Sequence, residues 1–379
     1  MKSNNFVYNI ICVTFFVISI LLVAKNFILS AQSIFDGRSL DLRNRIVGTR
    51  VALLHKDPYT YQEPPNGDPK LIDPISFPSS SLTRLSISPA VLLSHTLYSN
   101  LAFSKIIYIW FGVEWLCLAL TLFLLMRIAN KQRGWILFLI SVFFTGSTVW
   151  ILHLLNGQIY VVYALILAFV LYLIHLKKYS AAFFIIGVLC LIRPPLITIP
   201  LVLFSVPNMR KYIRPFVYGL ITLGLLTAVI FNPHIWGQYI SGMSQMTKTP
   251  ATVERNEDIP QKFYSSNLEG WSVPQHSLGF SPEFETSVRG LVLRRLNRLL
   301  SPILLFSIII FINLGTVFIV IKRKISKFIP LFTLAVTAAI LSEYFIPARR
   351  YVYADVLWLI PMWIGITLFK PLWIKKIRI

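Results

Sequence analysis

Asp41 begins a stretch of chain whose residue types suit proton transfer at a membrane surface. Over residues 41–54 the apolar side chains Leu42, Ile46 and Leu53 recur at helical spacing on one side of the helix. The cations Arg43 and Arg50 lie away from that side. Such an amphipathic helix is expected to lie in the interface between membrane and water. The Asp41 carboxylate can act there as a general base, or it can simply cap the helix, a frequent role for Asp.

Two arginines are candidates for binding an anion. Arg349 and Arg350 stand together just before Tyr351, between the last two apolar segments. A planar guanidinium matches the spacing of phosphate oxygens, so a phosphate is the expected ligand. For this pair the alternative is ordinary anchoring at the interface, with the flanking carboxylates Glu343 and Asp355 neutralising the charge.

Gln158, in the turn Asn156-Gly157-Gln158 between two apolar segments, can hydrogen-bond a sugar. The six histidines do not have metal-ligand spacing, and HExxH, P-loop, GxSxG and Asp-x-Asp motifs are absent from the sequence. We therefore expect neither a metal nor another cofactor. Lys25 and Glu114 fall inside apolar segments, where ionisable groups are costly, and the sequence assigns them no role.

The composition is that of a membrane protein. Of 379 residues, 56% are hydrophobic and only 13% are charged, about half the charged fraction of a soluble domain. The net charge of +21 does not indicate nucleic-acid binding, because the Lys and Arg side chains occupy short loops between apolar segments. Membrane lipid is the expected surrounding.

The sequence predicts an all-α, polytopic membrane protein forming one domain over 1–379. The first apolar segment reads as an uncleaved anchor rather than a signal peptide. About ten membrane segments are expected, at 6–29, 106–126, 135–155, 159–176, 180–192, 194–206, 213–231, 302–321, 328–346 and 354–370. Two long polar loops, 30–105 and 232–301, separate them, and the short apolar stretch from Ser88 to Phe103 is expected to lie on or dip into the outer leaflet.

Charge predicts how the segments are oriented. The connections at 127–134, 175–179, 207–214 and 322–327 carry cations without Asp or Glu, so they and both termini are expected to be cytoplasmic. The chain from 179 to 207 must then leave and return to the same side. Because proline disfavours helix, we expect a hairpin whose apex brings Arg193 to the outer face. The alternative is one kinked helix from which the Arg193 side chain extends to the interface, but this would place the two cationic connections on opposite sides.

Taken in order, these motifs resemble the polyprenol-phosphate-mannose-dependent mannosyltransferases of the GT-C glycosyltransferase class. The resemblance extends over most of the chain as a series of short elements. They are Asp41-Leu42, Lys56-Asp57-Pro58-Tyr59, Gly157-Gln158, Arg193-Pro194, Gln275-His276-Ser277, Arg289-Gly290-Leu291 with Arg294-Arg295, and Arg350-Tyr351.

This resemblance implies a GT-C-like bundle with interfacial helices in the first loop. It implies an inverting glycosyltransferase that moves mannose, another hexose or a pentose from a polyprenyl-phosphate donor to a glycan or glycolipid acceptor. Asp41 would be the general base, and Arg193, Arg349 and Arg350 would bind the donor phosphate. Gln158, Gln275, His276 and Tyr351 would contact the substrates. The expected location is a bacterial inner membrane with the active site outside; a lipid-linked glycan flippase and an O-antigen polymerase or ligase remain as alternatives.

Overall fold

The computed structural model describes residues 2–35, 39–60, 71, 85–128, 141–248, 286–296, 298, 300–346 and 350–368. Within these ranges the chain is helical and forms no strand. The α-helices are α1 (Lys2–Phe35), α2 (Leu40–Leu53), α3 (Pro89–His95), α4 (Phe103–Ile128), α5 (Thr148–Leu155), α6 (Tyr160–His175), α7 (Tyr179–Ile192), α8 (Thr198–Phe204), α9 (Ile213–Ile230), α10 (Ile235–Lys248), α11 (Val288–Leu296), α12 (Pro302–Lys322), α13 (Phe328–Glu343) and α14 (Leu359–Leu368). Shorter 3-10 segments span Pro194–Ile197, Pro207–Tyr212 and Val352–Trp358.

Three of the described helical segments are long and apolar enough to cross a membrane: Phe103–Ile128, Pro207–Ile230 and Pro302–Lys322. A fourth candidate is the pair α5 and α6, which is bent by 115° at the intervening turn. Only 17% of the most apolar window of Pro302–Lys322 is buried within the protein, as expected for a helix surrounded by lipid. The chain is therefore an all-α protein with helices suited to a membrane.

The sequence predicted the positions of most helices within a few residues. The apolar segments at 106–126, 159–176 and 302–321 correspond to α4, α6 and α12. Of the segment at 135–155, residues 141–145 and α5 are described, and both are helical. The segment at 213–231 belongs to the candidate span Pro207–Ile230, and the segment at 6–29 lies within the 34 residues of α1. The apolar helices at 180–192, 194–206, 328–346 and 354–370 are shorter than a full span. Three or four spans are therefore supported among the described residues, where about ten membrane segments were expected.

The chain reversal expected at Arg193 is present. Helix α7 ends at the residue before Arg193, and a 3-10 turn leads into α8. Phe183 in α7 stacks on Phe204 at the end of α8, with ring centroids 5.3 Å apart. Tyr179 and Tyr212, at the two ends of this stretch, are likewise 5.7 Å apart. The chain between them therefore departs from one end of the bundle and returns to it.

Helices α7 and α9 pack closely along each other through two glycines. A Cβ atom on Gly187 would lie 2.2 Å from the carbonyl oxygen of Phe216, and one on Gly219 would lie 2.1 Å from that of Phe184. Any larger residue at either position would force the two backbones apart. This contact fixes α7, and with it the hairpin apex that carries Arg193.

The helix predicted at 41–54 exists as α2, and its cationic side is buried by other parts of the protein. The exposed fractions of Arg43, Arg45 and Arg50 are only 4%, 2% and 8%. The Arg50 guanidinium donates to the carbonyl oxygens of Leu71, Ser99 and Leu101, at 2.7 to 2.8 Å. The segments at residue 71 and at 99–101 thus cover Arg50, and the low exposure of all three arginines shows that α2 is enclosed by protein.

Helix α3 covers a second side of α2. It is seven residues long, and most of its side chains are buried against other parts of the protein. The hydroxyl of Ser88, just before α3, donates to the carbonyl oxygen of Ile192 at 2.8 Å. The first loop is therefore attached directly to the apex of the hairpin beside Arg193.

Candidate functional site

The first turn of α2 carries Asp41, but Asp41 is not the residue that caps the helix. The N-cap position belongs to Ser39, whose side chain makes no capping hydrogen bond, and Asp41 lies two residues further on. A carboxylate in the first turn still interacts favourably with the helix dipole. Its hydrogen bonds, however, go to residues of other segments, so capping does not account for it.

Two side chains hold one oxygen of the Asp41 carboxylate. The Gln158 amide donates to Oδ2, and the Tyr353 hydroxyl lies 3.5 Å from the same oxygen, at the limit of hydrogen bonding. Within the described part of the chain, Oδ1 has no hydrogen-bond partner of its own. The carboxylate is thus fixed in direction, with one oxygen left for a substrate.

Gly157 brings the turn 156–158 against α2. Its φ of +60° lies in the left-handed region, where a side chain is disfavoured. A Cβ atom there would lie 2.7 Å from the Cβ of Leu42 and 3.2 Å from that of Ser39. The carbonyl oxygen of Gly157 accepts a hydrogen bond from the Arg45 guanidinium. Only glycine allows the close approach that places Gln158 on Asp41.

A group of tyrosines extends from Asp41 to the hairpin apex. Tyr353 stacks on Tyr351, with centroids 5.4 Å apart, and its other neighbour is Tyr160 at 5.8 Å. The Arg193 guanidinium in turn lies over the Tyr160 ring, 4.9 Å from its centroid. Two aromatic rings therefore separate the Asp41 carboxylate from Arg193, and aromatic surfaces of this kind also bind sugar rings by stacking.

Glu343 joins Arg193 to Arg350. Both Glu343 oxygens accept from Arg193, from Nε and Nη2, each at 3.1 Å. The Nε of Arg350 lies 3.8 Å from the same carboxylate, which is only 1% exposed. One buried carboxylate therefore faces two guanidinium groups, and Asp355 pairs with the second of them.

Arg350 is held from several directions. Its Nη1 donates to Asp355 at 2.7 Å and to the Thr286 hydroxyl at 2.8 Å, and its guanidinium covers the Tyr344 ring at 3.9 Å. Nε and Nη2 are buried without a hydrogen-bond acceptor in the described residues. Sequence reasoning recognised that Glu343 and Asp355 could neutralise this arginine, and both do contact it. Nη2 nevertheless has no acceptor among the described residues, and Nε has only the Glu343 carboxylate, at 3.8 Å.

Burial raises the pKa of Asp41 above its ordinary value. The Arg45 guanidinium opposes this effect, and so do the hydrogen bonds from Gln158 and Tyr353, because each favours the charged carboxylate. Asp41 is therefore a stronger base than an exposed Asp, with a cation close by that stabilises its ionised form.

Several residues of this site were not singled out from the sequence. Tyr353 and Tyr160 depend on tertiary contacts that no local pattern reveals. Arg45 did carry a signal, since it stands four residues after Asp41 and therefore on the same side of a helix. Gln158 contacts Asp41, and its contact with a sugar stays a prediction.

The structure brings together Asp41, Gln158, Arg193, Arg350 and Tyr351 through the contacts above. The other predicted site residues, Arg349, Gln275 and His276, lie outside the described residues. Among those described, no group of three or more His, Cys, Asp or Glu side chains is arranged to hold a metal. Compared with protein-family models, curated proteins and solved structures, the chain matches none of them.

Proposed function

We propose that the chain is an inverting glycosyltransferase that takes its sugar from a polyprenyl-phosphate donor. The observation that carries this proposal is the Asp41 carboxylate, fixed through one oxygen by Gln158 and Tyr353 and separated from Arg193 and Arg350 by a layer of tyrosines. A base on one side of an aromatic surface and guanidinium groups on the other are the groups that transfer from a sugar phosphate requires.

In the proposed reaction, Asp41 Oδ1 accepts the proton of an acceptor hydroxyl. The acceptor oxygen forms a bond to the anomeric carbon while the bond from that carbon to the phosphate oxygen breaks, and its electron pair leaves with the polyprenyl phosphate. The phosphate needs no proton, because Arg193 and Arg350 stabilise its charge. Attack and departure on opposite faces invert the anomeric centre.

The finer architecture of the proposal is a GT-C-like bundle of about ten membrane segments, with the site on the outer face of a bacterial inner membrane. Two contacts between the ends of helices support this orientation. Tyr179 packs on both Tyr212 and Phe328, which brings the cationic connections 175–179, 207–214 and 322–327 to one end of the bundle. Arg193 lies at the opposite end of α7, beside the first loop. If the cationic end is cytoplasmic, the site faces outwards.

The proposal is tested with purified protein, a panel of polyprenyl-phosphate sugars and lipid extracts as acceptors. We expect one donor to be consumed and Asp41→Asn to reduce transfer by roughly 10²–10⁴-fold, the range for loss of a general base. Asp57→Asn is the matched control, because among the described residues Asp57 bonds only local groups, the Tyr59 amide and the Thr60 hydroxyl. Consumption of no donor, or full transfer by Asp41→Asn, would overturn the proposal. Movement of an intact lipid-linked glycan across vesicles would instead favour a flippase.

A further inference from the structure

Arg45 closes a ring of contacts around Asp41. It lies one helical turn after Asp41 on α2, where residues four apart are neighbours. Its guanidinium donates to the carbonyl oxygen of Gly157, and the next residue, Gln158, donates to Asp41. The turn 156–158 is therefore fastened to α2 twice, once through Arg45 and once through Asp41 itself.

The surroundings of Arg45 hold its guanidinium in place. It lies over the Trp110 ring of α4, 5.4 Å from the centroid, and only 2% of the residue is exposed. A guanidinium both stacked and hydrogen-bonded has one preferred orientation. The charge of Arg45 is consequently fixed at one side of the Asp41 carboxylate and shielded from solvent.

Other titratable groups surround the pair. Tyr160 and Tyr353 approach Asp41. Five titratable groups interact electrostatically with Arg45: His95 on α3, Glu114 on α4, His153 on α5, Tyr163 on α6 and Tyr98 in the loop after α3. His153 Nδ1 lies 3.0 Å from Glu114 Oε1, and its Nε2 accepts the Val161 amide at 3.1 Å. Glu114 and His153 thus contact each other, and the His153 ring is fixed at the start of α6. Among these groups, Arg45 is the cation next to Asp41.

We infer that Arg45 is a positioning residue that keeps Asp41 ionised and directs it towards the acceptor. This inference rests on the proposed role of Asp41 as the general base. Arg45 acts in two ways: its charge favours the carboxylate, and its bond to Gly157 holds the turn that carries Gln158. Arg45 touches no reacting atom, so its loss changes the basicity and the orientation of the Asp41 carboxylate but leaves the base itself in place.

Loss of the Arg45 charge should shift the pH dependence of transfer in a definite direction. Transfer requires ionised Asp41, so activity falls as the pH drops through the pKa of that carboxyl. An adjacent cation lowers the pKa of Asp by about 1–3 units, and Arg45→Met removes that effect. The acidic limb of the pH profile should therefore move to higher pH by a similar amount. Arg45→Lys, which keeps the charge but not the planar group, should leave the limb nearly in place while lowering kcat.

The decisive measurement is an infrared titration of the Asp41 carboxyl, taken as the difference between the wild type and Asp41→Asn in lipid nanodiscs. We expect Asp41 to be ionised at neutral pH in the wild type and to titrate about 1–3 pH units higher in the Arg45→Met background. Arg50→Met is the matched control, since Arg50 is a buried arginine of the same helix that bonds Leu71, Ser99 and Leu101 instead. It should leave the midpoint unchanged.

An equal shift in Arg50→Met would attribute the effect to general disruption of α2 and overturn the inference. If Arg45→Met does not fold, the titration of the wild type still tests the inference. An Asp41 carboxyl that is protonated at neutral pH would contradict the role given to Arg45. The titration needs no sugar donor. A failed donor panel with the expected titration would refute the proposed glycosyltransferase alone, whereas sugar transfer with an unmoved midpoint would refute the role of Arg45 alone.

Discussion

Arg350 combines a buried charge with two nitrogens that find no acceptor among the described residues. Asp355 and Thr286 hold Nη1, and the Tyr344 ring supports the plane of the guanidinium. An unmatched buried donor normally costs on the order of 1–3 kcal/mol, a cost that a bound anion removes. The residue is therefore stabilised in an orientation suited to a second, exchangeable ligand.

We predict that Arg350→Lys lowers transfer at limiting donor even though the charge is retained. A lysine ammonium cannot bond Asp355, Thr286 and a phosphate in the fixed planar geometry of a guanidinium. The expected change is a rise in the KM for the donor of about tenfold or more, equivalent to one lost charged hydrogen bond. Initial rates against donor concentration measure it, and Arg210→Lys, at an exposed position near the opposite end of the bundle, serves as the control.

Asp41 shows how much of a single residue's environment could be predicted from the sequence. Its position near the start of a helix was predictable from the apolar spacing of 41–54, and Arg45 four residues later was visible beside it. Its contacts with Gln158 and Tyr353 were not, since they join residues 117 and 312 positions apart. Only the tertiary packing shows that the carboxylate bonds other segments rather than its own helix end.

At the level of elements, long apolar segments were predictable because lipid imposes one solution, a hydrogen-bonded helix. Helix α2 was harder. Its pattern suggested one solvated face, but α3 and the surrounding loops cover that face and supply carbonyl oxygens for Arg50. A periodic pattern reveals which side is apolar and cannot show whether another part of the chain covers the polar side.

The turn 156–158 is the element on which the site geometry depends, so we predict that Gly157→Ala disrupts both stability and transfer. The left-handed conformation costs a non-glycine residue about 1–2 kcal/mol, and the added methyl group would also meet Leu42. Thermal unfolding in detergent should show a lower Tm, and transfer should fall because Gln158 no longer reaches Asp41. Gly112→Ala in α4 is the control, since a methyl group there has nothing within 4 Å. Equal stability and activity of the two variants would contradict this account of the turn.

Across the whole molecule, charge and packing agree on two distinct ends. The cationic connections at 175–179, 207–214 and 322–327 meet where Tyr179 contacts Tyr212 and Phe328. The site lies at the far end of α7, where Ser88 of the first loop bonds the backbone beside Arg193. Hydropathy alone would have allowed the chain from 179 to 207 to count as one kinked span. The requirement that both flanking cationic loops share a side, together with the proline pair, predicted the reversal.

We predict that these two ends lie on opposite sides of the membrane. Lys177 and Lys324 are exposed at the cationic end, and Asn100 is exposed in the loop whose neighbouring carbonyls bind Arg50 at the site end. Single substitutions Lys177→Cys, Lys324→Cys and Asn100→Cys are introduced into a background lacking Cys12, Cys117 and Cys190. A membrane-impermeant maleimide should label Asn100→Cys in intact cells, and the two lysine-site variants only after permeabilisation, because cationic loops stay in the cytoplasm. The unsubstituted background controls for non-specific labelling.

Labelling of Lys177→Cys but not Asn100→Cys in intact cells would place Asp41 on the cytoplasmic side and remove the outward-facing site. Labelling of all three from outside would mean that the hairpin at Arg193 does not separate the two ends across the bilayer.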